Sequence, residues 1–421
     1  MNQQKFRTNF LFPLFYMAAA FITYCSMYAF RKPFTAGVYE DLQLWGIDYK
    51  IILITTQVIG YMLSKFIGIK VVSEMSAARR IASILLLMAI AWVSLLLFGL
   101  TPFPYNFIWL FFNGLPLGMI WGLVFAFLEG RRNTELLGAG MSVSFIVASG
   151  LVKSVGKFLV EDWQISEFWM PFYTGLLFVP TLLLGVWMLS KIPPPSAEDI
   201  AHRTPRVPMN KQERWRFFVK FSPGIILMVL VYIALTIFRD LRDNFAVELW
   251  ADLGYGDTPE ILLTAEIPIA ISVFCIIGLM MFIRNNKTAF YANLLMIALG
   301  GVLLFTTTLL FQYQLISPIL WMILVGFAMY LAYISYHTML FERWIALFRH
   351  KSNIGFLMYV ADAFGYMGSV AILFYKNFGE QSGNWLSFIS SISLFIGGIT
   401  FVLSLAAIVY FRQKEKQLIS T

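Results

Sequence analysis

Charge is scarce in this 421-residue chain: 13% of its residues are Asp, Glu, Lys or Arg, against roughly 25% in soluble domains, too few to clothe a water-facing surface. Cysteine is nearly absent too. Cys25 and Cys275 both lie in apolar runs with no CxxC spacing, which leaves no disulfide framework and no thiolate metal site. Three histidines without HExxH or a Cys/His cluster give metal catalysis no support, and no cofactor is expected. A P-loop of the form GxxxxGKS/T is missing, which argues against ATP-driven transport by this chain. No Ser/His/Asp or Gly-x-Ser-x-Gly constellation stands out, so the chain does not read as an enzyme. What is present is apolar: 59% hydrophobic residues, a mean hydropathy of +0.74, and 41 Phe, 19 Tyr and 12 Trp. Such a chain belongs in a lipid bilayer, and its formal charge of +8 speaks to membrane orientation before nucleic acid.

A hydrocarbon core about 30 Å thick takes about 20 apolar residues per crossing helix. Twelve such stretches are predicted, at 10–30, 51–72, 80–100, 106–128, 139–160, 169–189, 221–241, 260–283, 288–311, 316–341, 352–375 and 386–411. The first follows Lys5 and Arg7 and lacks a small-residue cleavage site, so it reads as a retained helix. With both termini cytoplasmic, 22 of the 31 Lys and Arg fall on the inside, while Glu40, Asp41, Asp48, Glu161, Asp162, Glu167, Glu248, Asp252, Asp257 and Glu260 fall outside. That is the positive-inside pattern, and it places the chain in a membrane of the bacterial cytoplasmic (inner) type. The hydrophilic stretch 191–220 carries Pro193, Pro194, Pro195, Pro205 and Pro208 and reads as a semi-rigid linker. The chain therefore divides into a six-helix bundle at 1–190, a cytoplasmic linker at 191–220 and a second six-helix bundle at 221–421.

The halves repeat. Tyr24 and Arg31 in the first helix match Tyr232 and Arg239 in the seventh at an offset of 208, both with Phe before Arg. Trp109 and Gly114 match Trp321 and Gly326 at an offset of 212, and the acidic-basic ends Glu129-Gly-Arg131 and Glu342-Arg343 follow. These ends are candidate cytoplasmic gate residues. An all-α membrane protein of twelve transmembrane helices in two pseudo-symmetric six-helix halves resembles the major facilitator superfamily, whose halves rock about a central site.

Charges inside spans cost roughly 2.5 to 3.5 kcal/mol on insertion scales, which makes each a functional hypothesis. Five are cations, Arg31, Lys65, Lys153, Lys157 and Arg239, and two are acids, Glu266 and Asp362. Lys65 lies too far from either end of its span to snorkel easily, but most of the others have a structural alternative. Lys157 can snorkel outward and Lys153 can pair with an acid; Arg239 can join a surface ion-pair cluster with Asp240, Arg242 and Asp243; Pro33 can end the first helix at Arg31. Asp362 reads as the partner of a lysine or as a proton-coupling carboxylate, with Glu266 a weaker coupling candidate. His337, the one histidine within a span, suits a buried structural role or proton coupling. The cationic excess points to an anion, because guanidinium groups grip carboxylate or phosphate bidentately and ammonium groups act as point charges.

Two motifs sharpen this. Tyr28-Ala-Phe-Arg31-Lys32-Pro-Phe34 resembles the Tyr-x-x-Arg-Lys-x-Phe signature of organophosphate:phosphate antiporters, and Ser64-Lys65-Phe66 resembles their second-helix Ser-Lys-Phe. The resemblance implies that Arg31 and Arg239 clamp a phosphorylated metabolite exchanged for inorganic phosphate, with Lys65 as a further cationic contact. The family's substrate histidine in the fifth helix has no counterpart in Ser144-Phe-Ile-Val-Ala-Ser149. The expected function is thus secondary active transport of a small organic anion by alternating access. Arg31, Lys65, Lys153, Arg239, Tyr24 and Tyr232 would bind the solute, and Asp362, Glu266 and His337 would couple or pair charge. Two alternatives stand beside it: proton-coupled transport of a carboxylate, peptide or cell-wall fragment, and a transporter-like sensor or accessory subunit. No protein partner is specified.

Overall fold

A computed structural model describes residues 3–129, 131, 134–194, 211–280, 282–348, 354–379 and 384–419. Helix dominates from end to end. The helices are α1 (Gln3–Tyr28), α2 (Tyr49–Glu74), α3 (Ala77–Leu100), α4 (Phe107–Leu117), α5 (Ile120–Phe125), α6 (Thr134–Glu161), α7 (Met170–Ser190) and α8 (Lys211–Asn244). They continue as α9 (Ala246–Asp252), α10 (Ile261–Thr264), α11 (Glu266–Met280), α12 (Asn286–Gln312), α13 (Pro318–Ser335), α14 (Phe341–Leu347), α15 (Ile354–Gly379) and α16 (Trp385–Ile419). Strand structure among the described residues is confined to a hairpin of β1 (Gln43–Leu44) with β2 (Ile47–Asp48), turning through Trp45 and Gly46 at positive φ.

Every predicted span coincides with helix, and the departures have local causes. The fourth breaks between α4 and α5 at Gly118, just past Pro116, whose ring lacks the amide that the preceding turn would accept. The eighth is split into α10 and α11, and the tenth passes through a π-helical turn, Tyr336–Leu340, into α14. The seventh starts at Lys211, well before the expected 221, because Lys211-Gln-Glu-Arg-Trp-Arg are all tolerated in helix. Ten helices among the described residues are long and apolar enough to cross a membrane, and a shorter apolar helix covers Phe12–Tyr28. At 352–375 the helix α15 is continuous over 26 residues, about 39 Å.

Side chains start several of these elements. Asp48 accepts from the Lys50 amide to open α2, Asn285 accepts from Lys287 and Thr288 to open α12, and Ser317 with Pro318 opens α13.

The chain forms two compact units: Met1–Arg203 with Asn244–Ile267, and Thr204–Asp243 with Pro268–Thr421. In the first, α2 and α4 pack with backbones nearly touching, since a Cβ on Gly60 would stand 2.3 Å from the Phe111 carbonyl and one on Gly114 2.2 Å from that of Gln57. The segment Asn244–Ile267, which carries α9 and α10, acts as a strap of this unit. Lys50 forms an ion pair with Glu248, and Lys32 Nζ donates to Asn244 Oδ1 at 2.6 Å. Lys157 donates to the Gly256 carbonyl, and Ser154 Oγ donates to that of Pro259 at 2.8 Å.

Candidate functional site

Helix α1 ends at Tyr28, so the proline at 33 does cut the helix short of Arg31. The amides of Arg31 and Lys32 both reach back to the Tyr28 carbonyl, at 3.0 and 2.9 Å, and Pro33 opens a single 3-10 turn, Pro33–Ala36. Arg31 therefore stands at a corner of the chain. Its guanidinium lies 3.8 Å from the centre of the Tyr61 ring and 5.8 Å from that of Tyr28. Lys65 Nζ lies 5.2 Å from the same Tyr61 ring, and Tyr24 meets Tyr28 edge to face at 5.7 Å. Three of the expected solute-binding residues, Arg31, Lys65 and Tyr24, are thus gathered around Tyr28 and Tyr61. Lys153 is buried on α6 in the same unit. Its neighbour four residues on, Lys157, snorkels toward the strap, with Glu161 at 3.1 Å.

Charge in this unit has one sign at depth. The buried charged residues of this unit, among those described, are Arg31, Lys32, Lys50, Lys65 and Lys153, all cations. Acids such as Glu248 come to the edge of the set, paired with Lys50 at 15% exposure.

The second unit is arranged differently around its arginine. Arg239 lies within the unbroken α8 and makes an ion pair with Asp240, Nη2 at 2.6 Å and Nε at 3.1 Å from Oδ1. The guanidinium also donates to the hydroxyls of Tyr333 and, at 3.3 Å, Tyr366. Tyr333 is 3.0 Å from the Tyr232 hydroxyl, which donates to Asp362. A hydrogen-bonded chain thus runs from Asp362 through two phenols to Arg239 and Asp240. The structure brings Tyr232, Arg239 and Asp362 together as a group, and the two arginines matched by the repeat occupy unlike surroundings.

A family model described as a family of unknown function, DUF5690, matches residues 33–414. The chain belongs to the DUF5690 family. No curated protein matches it. Solved structures similar to this DUF5690 chain include the nucleoside transporter NupG, at 13% identity and a TM-score of 0.61 over 95% of this chain and 99% of that one. A D-xylose-proton symporter is similar at 14% identity and a TM-score of 0.56, over 94% of this chain and 96% of that one. The fold is that of the major facilitator superfamily.

The remaining candidates of the DUF5690 chain lie apart from these clusters. Glu266 is half-buried at the start of α11, next to the end of the strap. The backbone of His337 falls in the π-helical turn, and its side chain lies outside the described residues. Of the expected gate residues, Glu129 closes the turn after α5 and Arg131 donates to the Pro193 carbonyl while lying 4.4 Å over the Tyr16 ring. Glu342 stands in the first turn of α14, and Arg343 Nη1 donates to Asn286 at 2.8 Å. Outside the spans, burial pushes the Tyr39 hydroxyl well above its ordinary pKa, and neighbouring Glu167 pushes it the same way.

Sequence reasoning passed over Gln57, Tyr61, Asn113, Tyr333 and Tyr366. Gln57 and Asn113 are amides in the middle of apolar spans, and that was the available signal. The tyrosines carry none, being three of 19.

Proposed function

We propose that the chain is a secondary transporter that works by alternating access on a small organic anion. The buried charge of the first unit carries this reading. Arg31 and Lys65 gather about Tyr61 with Lys153 buried in the same unit, and a guanidinium beside ammonium groups is the chemistry that grips carboxylate or phosphate. In this reading Arg31 makes the principal contact, Lys65 and Lys153 complement it, and Tyr24 lines the site. Tyr61 lowers the cost of the buried guanidinium, since an arginine over an aromatic face gains roughly 0.5 to 2 kcal/mol. In the second unit Arg239 and Tyr232 are the residues proposed to bind solute, and Asp240 is the carboxylate that an anion at Arg239 must compete against.

The finer proposal follows the helix 1 and helix 2 motifs: a phosphorylated metabolite exchanged for inorganic phosphate, in a cytoplasmic membrane with both termini inside. A second reading is proton-coupled transport of a carboxylate. It is favoured by the chain from Asp362 through Tyr232 and Tyr333 to Arg239, which offers a carboxylate a proton path.

Counterflow in proteoliposomes tests both. Labelled hexose phosphate, inorganic phosphate and a dicarboxylate are presented to vesicles loaded with phosphate, with and without a pH gradient. Exchange stimulated by internal phosphate and lost in Arg31→Ala supports the first reading; flux that follows the pH gradient and ignores internal phosphate selects the second. Flux of every solute left intact in Arg31→Ala refutes the role given to the arginine.

A further inference from the structure

Arg31 stands outside any helix, so its backbone carbonyls have no partners within helical turns. Buried carbonyls require donors. Gln57 Nε2 donates to the Arg31 carbonyl at 2.7 Å, and Asn113 Nδ2 donates to the Phe30 carbonyl at 2.9 Å. The two amides are themselves joined, Gln57 Nε2 to Asn113 Oδ1 at 2.7 Å, and Asn113 also donates to the Ala91 carbonyl on α3 at 2.9 Å. Both are buried, Gln57 at 3% exposure and Asn113 at 0%. The carbonyls they hold flank the Arg31 α-carbon on either side. Fixing both sets the direction in which the side chain leaves the chain.

The other end of that side chain is set by the same helix. Gln57, Tyr61 and Lys65 are spaced four apart on α2 and share one face. Gln57 takes the Arg31 backbone, Tyr61 takes its guanidinium at 3.8 Å, and Lys65 stands one turn further along. The close approach at Gly60 and Gly114 is what lets Asn113 reach Gln57.

Among the described residues, the arginine of the related half is held differently. At the offset of 212 Asn113 corresponds to Val325, and Arg239 lies inside a continuous helix that satisfies its own carbonyls. There the arginine is held by its side chain, through Asp240, Tyr333 and Tyr366.

We infer that Gln57 and Asn113 are positioning residues for the anion contact of Arg31, setting affinity by orienting the guanidinium over Tyr61. This rests on the anion-transport reading. The test measures phosphate-driven counterflow and anion-dependent thermal stabilisation in purified, reconstituted full-length protein, with inorganic phosphate, a hexose phosphate and a dicarboxylate as probes. Gln57→Met keeps length and removes both donated bonds; Asn113→Leu is the harsher change. Thr308→Val is the stability control, since Thr308 bonds Ser393 at 2.8 Å and Trp321 at 3.2 Å in the other unit. The expected result for Gln57→Met is an apparent KM or Kd raised about tenfold with maximal flux within twofold of wild type, while Thr308→Val loses thermal stability and keeps its KM. A wild-type KM in Gln57→Met, or an equal rise in KM in Thr308→Val, overturns the positioning role alone. A wild-type protein that neither binds nor moves any of the three anions overturns the transport reading, and this inference with it.

Discussion

Replacing Arg239 by Gln isolates what its surroundings imply. Its side chain is 13% exposed and that of Asp240 8%, and Asp240 Oδ1 receives two guanidinium donors while Oδ2 has no hydrogen-bond partner. The carboxylate thus depends on the arginine for its stabilisation. Breaking a buried pair by removing one partner costs about 3 to 5 kcal/mol, because the remaining charge is left uncompensated. For a unit of roughly two hundred residues, each kcal/mol corresponds to about 2 to 4 °C, so Arg239→Gln should lower the Tm by about 6 to 20 °C. Adding Asp240→Asn removes the stranded charge and should return at least about half of the loss, the rest being the guanidinium hydrogen bonds to the Tyr333 and Tyr366 hydroxyls, at roughly 1 to 3 kcal/mol each. Thermal unfolding of the purified protein in detergent, followed by tryptophan fluorescence, measures both. A single variant as stable as wild type, or a double variant no better than the single, refutes the ion-pair account of Arg239.

Three further outcomes are expected. Arg31→Lys keeps the charge and loses the planar group stacked on Tyr61, so anion affinity should fall about tenfold, and in Arg31→Ala about a hundredfold, matching charge-assisted bonds of about 1.5 to 3 kcal/mol; a ligand titration of the Tm reads both. Glu248→Ala strands Lys50, which is 2% exposed, and should cost about 3 to 5 kcal/mol, most of it regained by adding Lys50→Met; chemical denaturation checks the pair. Asp48 is solvent-exposed, and partial desolvation at the foot of α2 raises its carboxyl above its ordinary pKa against the opposing pull of the Lys50 amide and charge. Folding therefore slightly favours its protonated form, and a small part of stability is lost as the pH rises through the carboxylate range. Asp48→Asn retains a capping oxygen and lacks that loss, so its Tm should exceed wild type at pH 7 and the difference should close near pH 3, as read in a pH series of melting curves.

Helix positions were legible because about 20 apolar residues per crossing is a hard requirement of the bilayer. Arg31, Lys65, Lys153 and Arg239 were legible for a related reason: ionised groups in lipid are rare enough to stand out singly. Neutral amides cost less to bury and blend into a span, which hid Gln57 and Asn113. The repeat matched Arg31 with Arg239, yet the structure gives them unlike surroundings, a corner of the chain held by Gln57 and Asn113 in one case and an ion pair with Asp240 in the other. Whether the first helix ended near Arg31 was open in the sequence, since Pro33 could end it there or the helix could continue past Phe34; the structure ends it at Tyr28, and donors on α2 and α4 hold the corner. The break at Gly118 follows Pro116, a signal present in the sequence, whereas the π-helical turn at Tyr336–Leu340 leaves no periodic signature.

The strap Asn244–Ile267 has a consequence for taking the protein apart. A cut in the proline-rich stretch that follows Lys191 would yield two polypeptides, and the N-terminal one would lack a segment of its own packed unit. Lys32 and Lys50 would lose Asn244 and Glu248, and Ser154 would lose its acceptor on Pro259. The C-terminal polypeptide would carry that missing piece as an unanchored insertion. Each fragment is therefore the other's folding partner, and co-expression should give complementation where separate expression gives two incomplete proteins.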